Sequence, residues 1–149
     1  MEELNFPKYE FRFSLQGQKK LIFDSIRKKF VVLTPEEWVR QHIINYLSVE
    51  KNIPQGLISI ENGVKIFEST KRTDLRVFGK NGQPLILIEC KAPYVKIDQK
   101  VLNQIAVYNF KLKIPYLMIS NGLFHVYCKI DFEKQSLEYL KELPEYKDL

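Results

Sequence analysis

The chain has little cysteine, little histidine and little glycine, and each shortage removes a class of function. Cys90 and Cys128 are the only cysteines. They form no C-x-x-C pair and are too few for a disulfide framework, which fits a reducing, cytoplasmic compartment. The two histidines, His42 and His125, stand far apart, and neither has a cysteine at metal-ligand spacing. The six glycines, Gly17, Gly56, Gly63, Gly79, Gly82 and Gly122, read as turn residues. They do not form a phosphate-cradling loop, and no G-x-x-x-x-G-K-[ST] motif of a nucleotide-driven motor occurs. No run approaches the roughly 20 apolar residues of a membrane helix. The start, MEELNFPKYEF, places acids where a signal peptide needs an apolar stretch.

What is present describes a folded body. The 149 residues suit one domain, and 45% apolar with 13% aromatic residues argue against disorder. Charge is uneven. Six acids against three lysines make residues 131–149 a −3 arm, so the rest of the chain stands at +8 against a total of +5. A basic body tolerates a polyanionic partner.

Periodicity gives the order of elements. Residues 9–15, YEFRFSL, alternate strictly and predict a half-buried strand. A Gln16-Gly17-Gln18 turn and Lys20–Phe23 complete a hairpin spanning about residues 9–23. The basic cluster Arg27-Lys28-Lys29 and the apolar Phe30–Leu33 follow. Thr34-Pro35-Glu36-Glu37 then opens a helix to about Val49, with a capping threonine, a proline at the first position and acids at the positive end. Short strands are expected at Leu57–Ile60, Val64–Glu68, Asp74–Phe78 and Pro84–Cys90, with an Asn62-Gly63 hairpin turn between the first two. Asp98–Lys113 reads as a helix, and Pro115–Ile119 and Leu123–Cys128 as a strand pair around Ser120-Asn121-Gly122. Phe132–Leu143 reads as a short amphipathic helix or an irregular arm. The sum is an α/β (α+β) fold: helices on a mixed, largely antiparallel central sheet, with an N-terminal β-hairpin.

The stretch LILIECKAP, residues 85–93, carries the chemistry. An apolar strand runs into Glu89 and Lys91, which lie two apart and project to the same face, with Ile86, Ile88 and Cys90 on the other. Buried charge is costly unless it is paired or binds a metal. Folding residues 74–78 back on 84–90 about Asn81 brings Asp74 beside Glu89, within about one strand spacing of ~4.8 Å. Two converging carboxylates suit a hard cation such as Mg²⁺, and a lysine beside them can contact a phosphate or help position or deprotonate a water. Cys90 and Cys128 read as small core residues rather than nucleophiles.

Asp74, a turn and then Glu89-x-Lys91 after an apolar strand resembles the PD-(D/E)xK nuclease signature. With PEEWVRQ, TDLRVF, ISNG and a Gln104-x-x-x-Tyr108 pair, the chain most resembles the N-terminal nuclease domain of type I restriction enzyme R subunits, over about residues 30–128. The resemblance implies a restriction-endonuclease-like core without its motor, as a stand-alone protein or a fragment. It also implies metal-dependent hydrolysis of DNA phosphodiesters. Asp74, Glu89 and the Cys90 carbonyl would hold Mg²⁺, with Mn²⁺ a substitute. An acid on the first helix joins them through water or on a second ion, and helical phase favours Glu36 over Glu37, which points about 100° away. Lys91 would orient water or stabilise developing charge, and Gln104 and Tyr108 would support the site or touch the DNA backbone. Arg72, Arg76, Lys96 and Lys100 are the candidate phosphate contacts. The implied partners are DNA and a motor or specificity subunit, and a simultaneous double-strand cut would need a homodimer. Two further readings remain: a non-catalytic DNA- or protein-binding module on a nuclease fold, and a structural subunit docking through the Tyr9–Phe23 hairpin and the acidic 131–149 arm.

Overall fold

The computed structural model describes residues 1–62 and 73–149, the side chains of Asn62, Thr73 and Asp74 excepted. Val64–Glu68, expected as a strand, and Arg72, expected as a phosphate contact, lie outside the described residues. No described helix is long and apolar enough to cross a membrane.

The N-terminal region is a three-stranded antiparallel sheet where the sequence predicted a hairpin. It consists of β1 (Phe13–Gln16), β2 (Lys19–Asp24) and β3 (Lys29–Val32), in that order. The alternating YEFRFSL stretch contributes only its end to β1. Phe11 instead sets its ring against Trp38 and His42, at centroid distances of 5.1 and 4.8 Å. The third strand follows the basic cluster because Asp24 folds the chain back. Its carboxylate accepts the main-chain N–H groups of Ile26 and Arg27, and Lys28 takes φ 55°.

Helix α1 (Pro35–Asn45) starts as its sequence signals require, with the Thr34 hydroxyl accepting from the Glu37 N–H at 3.0 Å. A π-helical turn, Tyr46–Glu50, extends it. Strands β4 (Ile58–Asn62), β5 (Thr73–Phe78) and β6 (Pro84–Cys90) follow. Then come α2 (Gln99–Leu112), β7 (Tyr116–Ser120), β8 (His125–Asp131) and β9 (Ser136–Leu140). The six strands β4 to β9 form one sheet in chain order. The β6–β7 pair is parallel, and the others are antiparallel. A parallel neighbour needs a crossover, and α2 supplies it.

Strand β9 corrects the expectation of a helix or irregular arm over 132–143. Residues 136–140 pair with β8, after a turn in which Asp131 accepts from the Lys134 N–H and Gln135 takes φ 50°. Leu143 beyond it is buried in the core.

The sheet carries a core on each face. Ile86, Ile88 and Cys90 join Val39, Ile43 and Ile44 of α1 and Leu47 of the π-helical turn on one side. Leu87 joins Leu102 and Ile105 of α2 on the other, with Leu117, Ile119 and Cys128. Strand β6 is thus covered on both faces, as its near-continuous apolar run predicts.

Candidate active site

Alternation along β6 sends Glu89 to the same face as Leu87, the α2 face. Glu89 is fully buried and Lys91 is 6% exposed. The Lys91 ammonium lies 3.4 Å from Glu89 Oε1, so the two charges meet as an ion pair.

The hairpin register places Asp74. A shift between Val77 and Phe78 moves the pairing one residue from a simple reflection about Asn81, giving Leu75 opposite Ile88. Continued one step, that register brings position 74 level with Glu89. On its other side Asp74 pairs with Glu61 of β4. Across β7 and β8 the same row continues through Ile119 and Val126.

A hydrogen-bonded turn fixes the strand end. The Lys91 N–H donates to the Ser120 carbonyl at 2.8 Å, extending the parallel ladder by one bond. Asn121 donates to the Val95 carbonyl and accepts from the Leu123 and Phe124 N–H groups. His125 Nε2 lies 2.8 Å from the Asn5 carbonyl, which can only accept, so Nε2 bears the proton. His125 Nδ1 therefore accepts from the Ser120 hydroxyl at 2.7 Å, and that oxygen accepts from the Gly122 N–H. Burial holds His125 below the usual histidine range, and the bond to Asn5 opposes this. The sequence marked Ser120-Asn121-Gly122 only as a turn. Its role in holding the Lys91 strand end depends on a partner about thirty residues away and left no local signal.

The acids of α1 sit differently from the helical-phase expectation. Glu37 is the buried one, at 6% exposure, whereas the Glu36 side chain is 37% exposed. Helical phase by itself gives α1 one covered face. The N-terminal sheet covers a second flank and sends Arg27 over it. Arg27 bonds Asp24 at 2.6 Å and Glu37 at 2.8 Å. Glu37 also accepts from Arg40 at 2.7 Å and from Gln41 at 3.0 Å, and Arg40 bonds Glu36 at 2.9 Å. Burial pulls the Arg40 guanidinium down, but the Glu37 and Glu36 carboxylates hold it above its ordinary value, so it stays charged. The sequence patterns above did not single out Arg40, although its spacing of three and four from Glu37 and Glu36 was a legible signal. Glu36 hangs from a helix that packs on the face of β6 away from Glu89.

The remaining candidates are scattered around this centre. Tyr108 is half-buried against the α2-side core, while Gln104, one turn before it, is exposed. Arg76 is half-buried and pairs with Leu87, which puts it on the Glu89 face. Lys96 and Lys100 are exposed on either side of the α2 N-cap, Asp98. Cys128 is buried and its thiol is pushed up to about 11, as befits a core residue.

The family model for the type I restriction enzyme R protein N terminus matches residues 35–144. The chain belongs to this family. The match begins at the first residue of α1 and runs through β9, so it reaches past the 30–128 span read from motifs. The three-stranded sheet lies before the matched R-protein N-terminal region. Searches of curated proteins and of solved structures each return no match. Membership ties the chain to restriction systems and suggests a nuclease-related role.

The donor chemistry there fits a hard cation. Glu89 offers carboxylate oxygens, Cys90 a main-chain carbonyl, and position 74 a second carboxylate in the same row. Such oxygen sets suit Mg²⁺, which keeps several waters and uses one or two carboxylates. Among the described residues no three His, Cys, Asp or Glu side chains converge, so Asp74 is the group on which a site would depend.

Proposed function

We propose that this R-protein N-terminal region is a Mg²⁺-dependent deoxyribonuclease hydrolysing phosphodiester bonds at the end of β6. The observation that carries the reading is the Glu89–Lys91 pair, buried at the end of the central strand and level in register with Asp74. Such a pair adds little stability over apolar residues of similar volume, so its presence in a chain that belongs to a restriction-enzyme family argues for chemistry.

In this reading Asp74, Glu89 and the Cys90 carbonyl hold Mg²⁺ or Mn²⁺. The bound ion would lower the pKa of a water and neutralise charge on the phosphate. Lys91 orients the attacking water or stabilises the charge that develops on the phosphate. Lys91 meets Glu89 through Oε1, which would leave the carboxylate's second oxygen to a cation and keep the ammonium beside the phosphate. The β6–β7 ladder and the Ser120–His125 turn hold the Lys91 backbone. Gln104 and Tyr108 support the site or touch the DNA backbone, whereas Glu36, bonded to Arg40 on a helix beyond the opposite face of β6, is left out of it. Arg72, Arg76, Lys96 and Lys100 contact backbone phosphates, which makes affinity fall with salt. DNA is the substrate, and other restriction subunits are the partners that family membership suggests.

Full burial of Glu89 and Lys91 favours one competing reading, a non-catalytic DNA- or protein-binding module that keeps a closed ion pair. Incubating the protein with plasmid and Mg²⁺ or Mn²⁺, beside Asp74→Ala, Glu89→Gln and Lys91→Ala, separates the two. The nuclease reading expects cleavage by the wild type alone, with the variants shown to be folded by circular dichroism. Cleavage that persists in all three variants, or a folded wild type that neither cuts nor binds metal, rejects it.

A further inference from the structure

A groove of about 410 Å³ lies between the start of α2 and strands β8 and β9. That size falls within the roughly 300–1,000 Å³ of small-ligand sites. Ile97, Leu102 and Val126 line it and are packed into the α2-side core. Phe124 and Tyr139 also line it, yet they are 54% and 57% exposed. An apolar floor is thus bordered by two open aromatic residues. Leaving such residues in water forgoes the stabilisation that burying them would bring.

The groove has a fixed relation to the candidate active site. Val126 pairs with Ile119, which pairs with Glu89, so Glu89 and the groove share a row and a face two strands apart. That separation is ~10 Å, about three stacked nucleotides along one strand. The same turn also links the two. Ser120 receives the Lys91 N–H and bonds His125, which lines the groove beside Phe124. Exposed Lys96 and Lys100 flank the lining residues Ile97, Asp98 and Gln99 along the chain, two cations beside the one carboxylate, Asp98, that lines the groove.

We propose that this groove binds an unpaired base of single-stranded DNA, stacked on Phe124 and Tyr139, with Lys96 and Lys100 on the adjoining phosphates. Every base has a π-face, so stacking accepts any sequence, and an aromatic platform flanked by cations is how single strands are held. A paired base is closed to the groove by its own stack. The placement relative to the scissile phosphate rests on the nuclease reading; the binding does not. The assignment makes the preferred substrate a frayed, gapped or locally opened duplex, with the held base about three nucleotides from the cut.

The test uses the full chain, EDTA in the buffer, and oligonucleotides carrying one 2-aminopurine, either single-stranded or fully paired. Stacking should quench the fluorophore in the single strand, and the single strand should bind about tenfold tighter than the duplex at equal salt. Phe124→Ala and Tyr139→Ala, both at exposed positions, should each weaken single-strand binding about tenfold, and Tyr139→Phe should restore it. Equal affinity for the two forms, or binding indifferent to loss of either ring, overturns the proposal. Cleavage by wild type combined with ring-independent binding sinks this inference alone. Ring-dependent binding by a protein that never cuts sinks the nuclease reading alone.

Discussion

The ammonium of Lys91 lies 3.4 Å from the carboxylate of Glu89, with both side chains almost wholly shielded from water. The pair sits on the α2 face of β6, away from the larger ion network that Arg40 organises behind the same strand. Two clusters of buried charge therefore flank one strand end, and each makes its own demand on stability.

Removing one partner of the Glu89–Lys91 pair leaves the other charge buried. Lys91→Met is expected to cost about 3–5 kcal/mol, whereas the double variant Glu89→Gln/Lys91→Met should recover much of the loss. Urea unfolding of the two variants beside wild type measures this. Near-equal loss in the single and double variants would show that the two charges are not coupled.

Arg40 should be just as sensitive, and for its geometry as much as its charge. Arg40→Lys keeps the charge but cannot span Glu36 and Glu37 with a planar fork. It should destabilise by about 1–3 kcal/mol, and Arg40→Met by about 3 kcal/mol or more. A double-mutant cycle with Glu37→Gln reads the coupling directly, and a cycle that closes to zero contradicts the network.

Gly122 is needed for two reasons at once. Its φ is +86°, and a Cβ there would stand 2.8 Å from Leu4 Cδ2 and 3.0 Å from Val39 Cγ2. Gly122→Ala should lower stability by more than about 1 kcal/mol. Leu4→Ala in the same chain should relieve the clash but not the backbone strain, leaving the pair of changes less than additive. Thermal melts of the four proteins check this.

Acid should weaken the fold before most carboxylates titrate. Burial lowers the pKa of both His42 and His125, with the bonds to Trp38 and Asn5 opposing. The unfolded chain therefore takes up protons from about pH 6.5 downward before the folded one does. Stability present above pH 6.5 is lost as pH falls toward the folded values. Denaturant midpoints between pH 5 and 8 should show this slope, and His125→Gln should flatten part of it.

Much of this fold is legible locally. Thr34-Pro35-Glu36-Glu37 announces α1, Asp98 announces α2, and the apolar run of β6 announces a strand covered on both faces. The Glu89-x-Lys91 spacing is enough to put both charges on one face of that strand. Other features have no local signature. The bulge after Val77 decides that Leu75, not Asp74, faces Ile88, and a shift of one residue is invisible in composition. Strand β9 is ambiguous in the sequence because LEYLKEL also fits a helical period, and only the open edge of β8 chooses the strand.

The sequence by itself determined the two main helices, the alternation along β6 and the charges at its end, because these follow from periods of 2 and 3.6 residues and from capping chemistry. Only the tertiary structure decided which of Glu36 and Glu37 is buried, that Ser120 and His125 brace Lys91, and that a groove with open aromatic residues shares a row with Glu89. Those outcomes depend on contacts between residues far apart in the chain, and register and packing fix such contacts where local preference is silent.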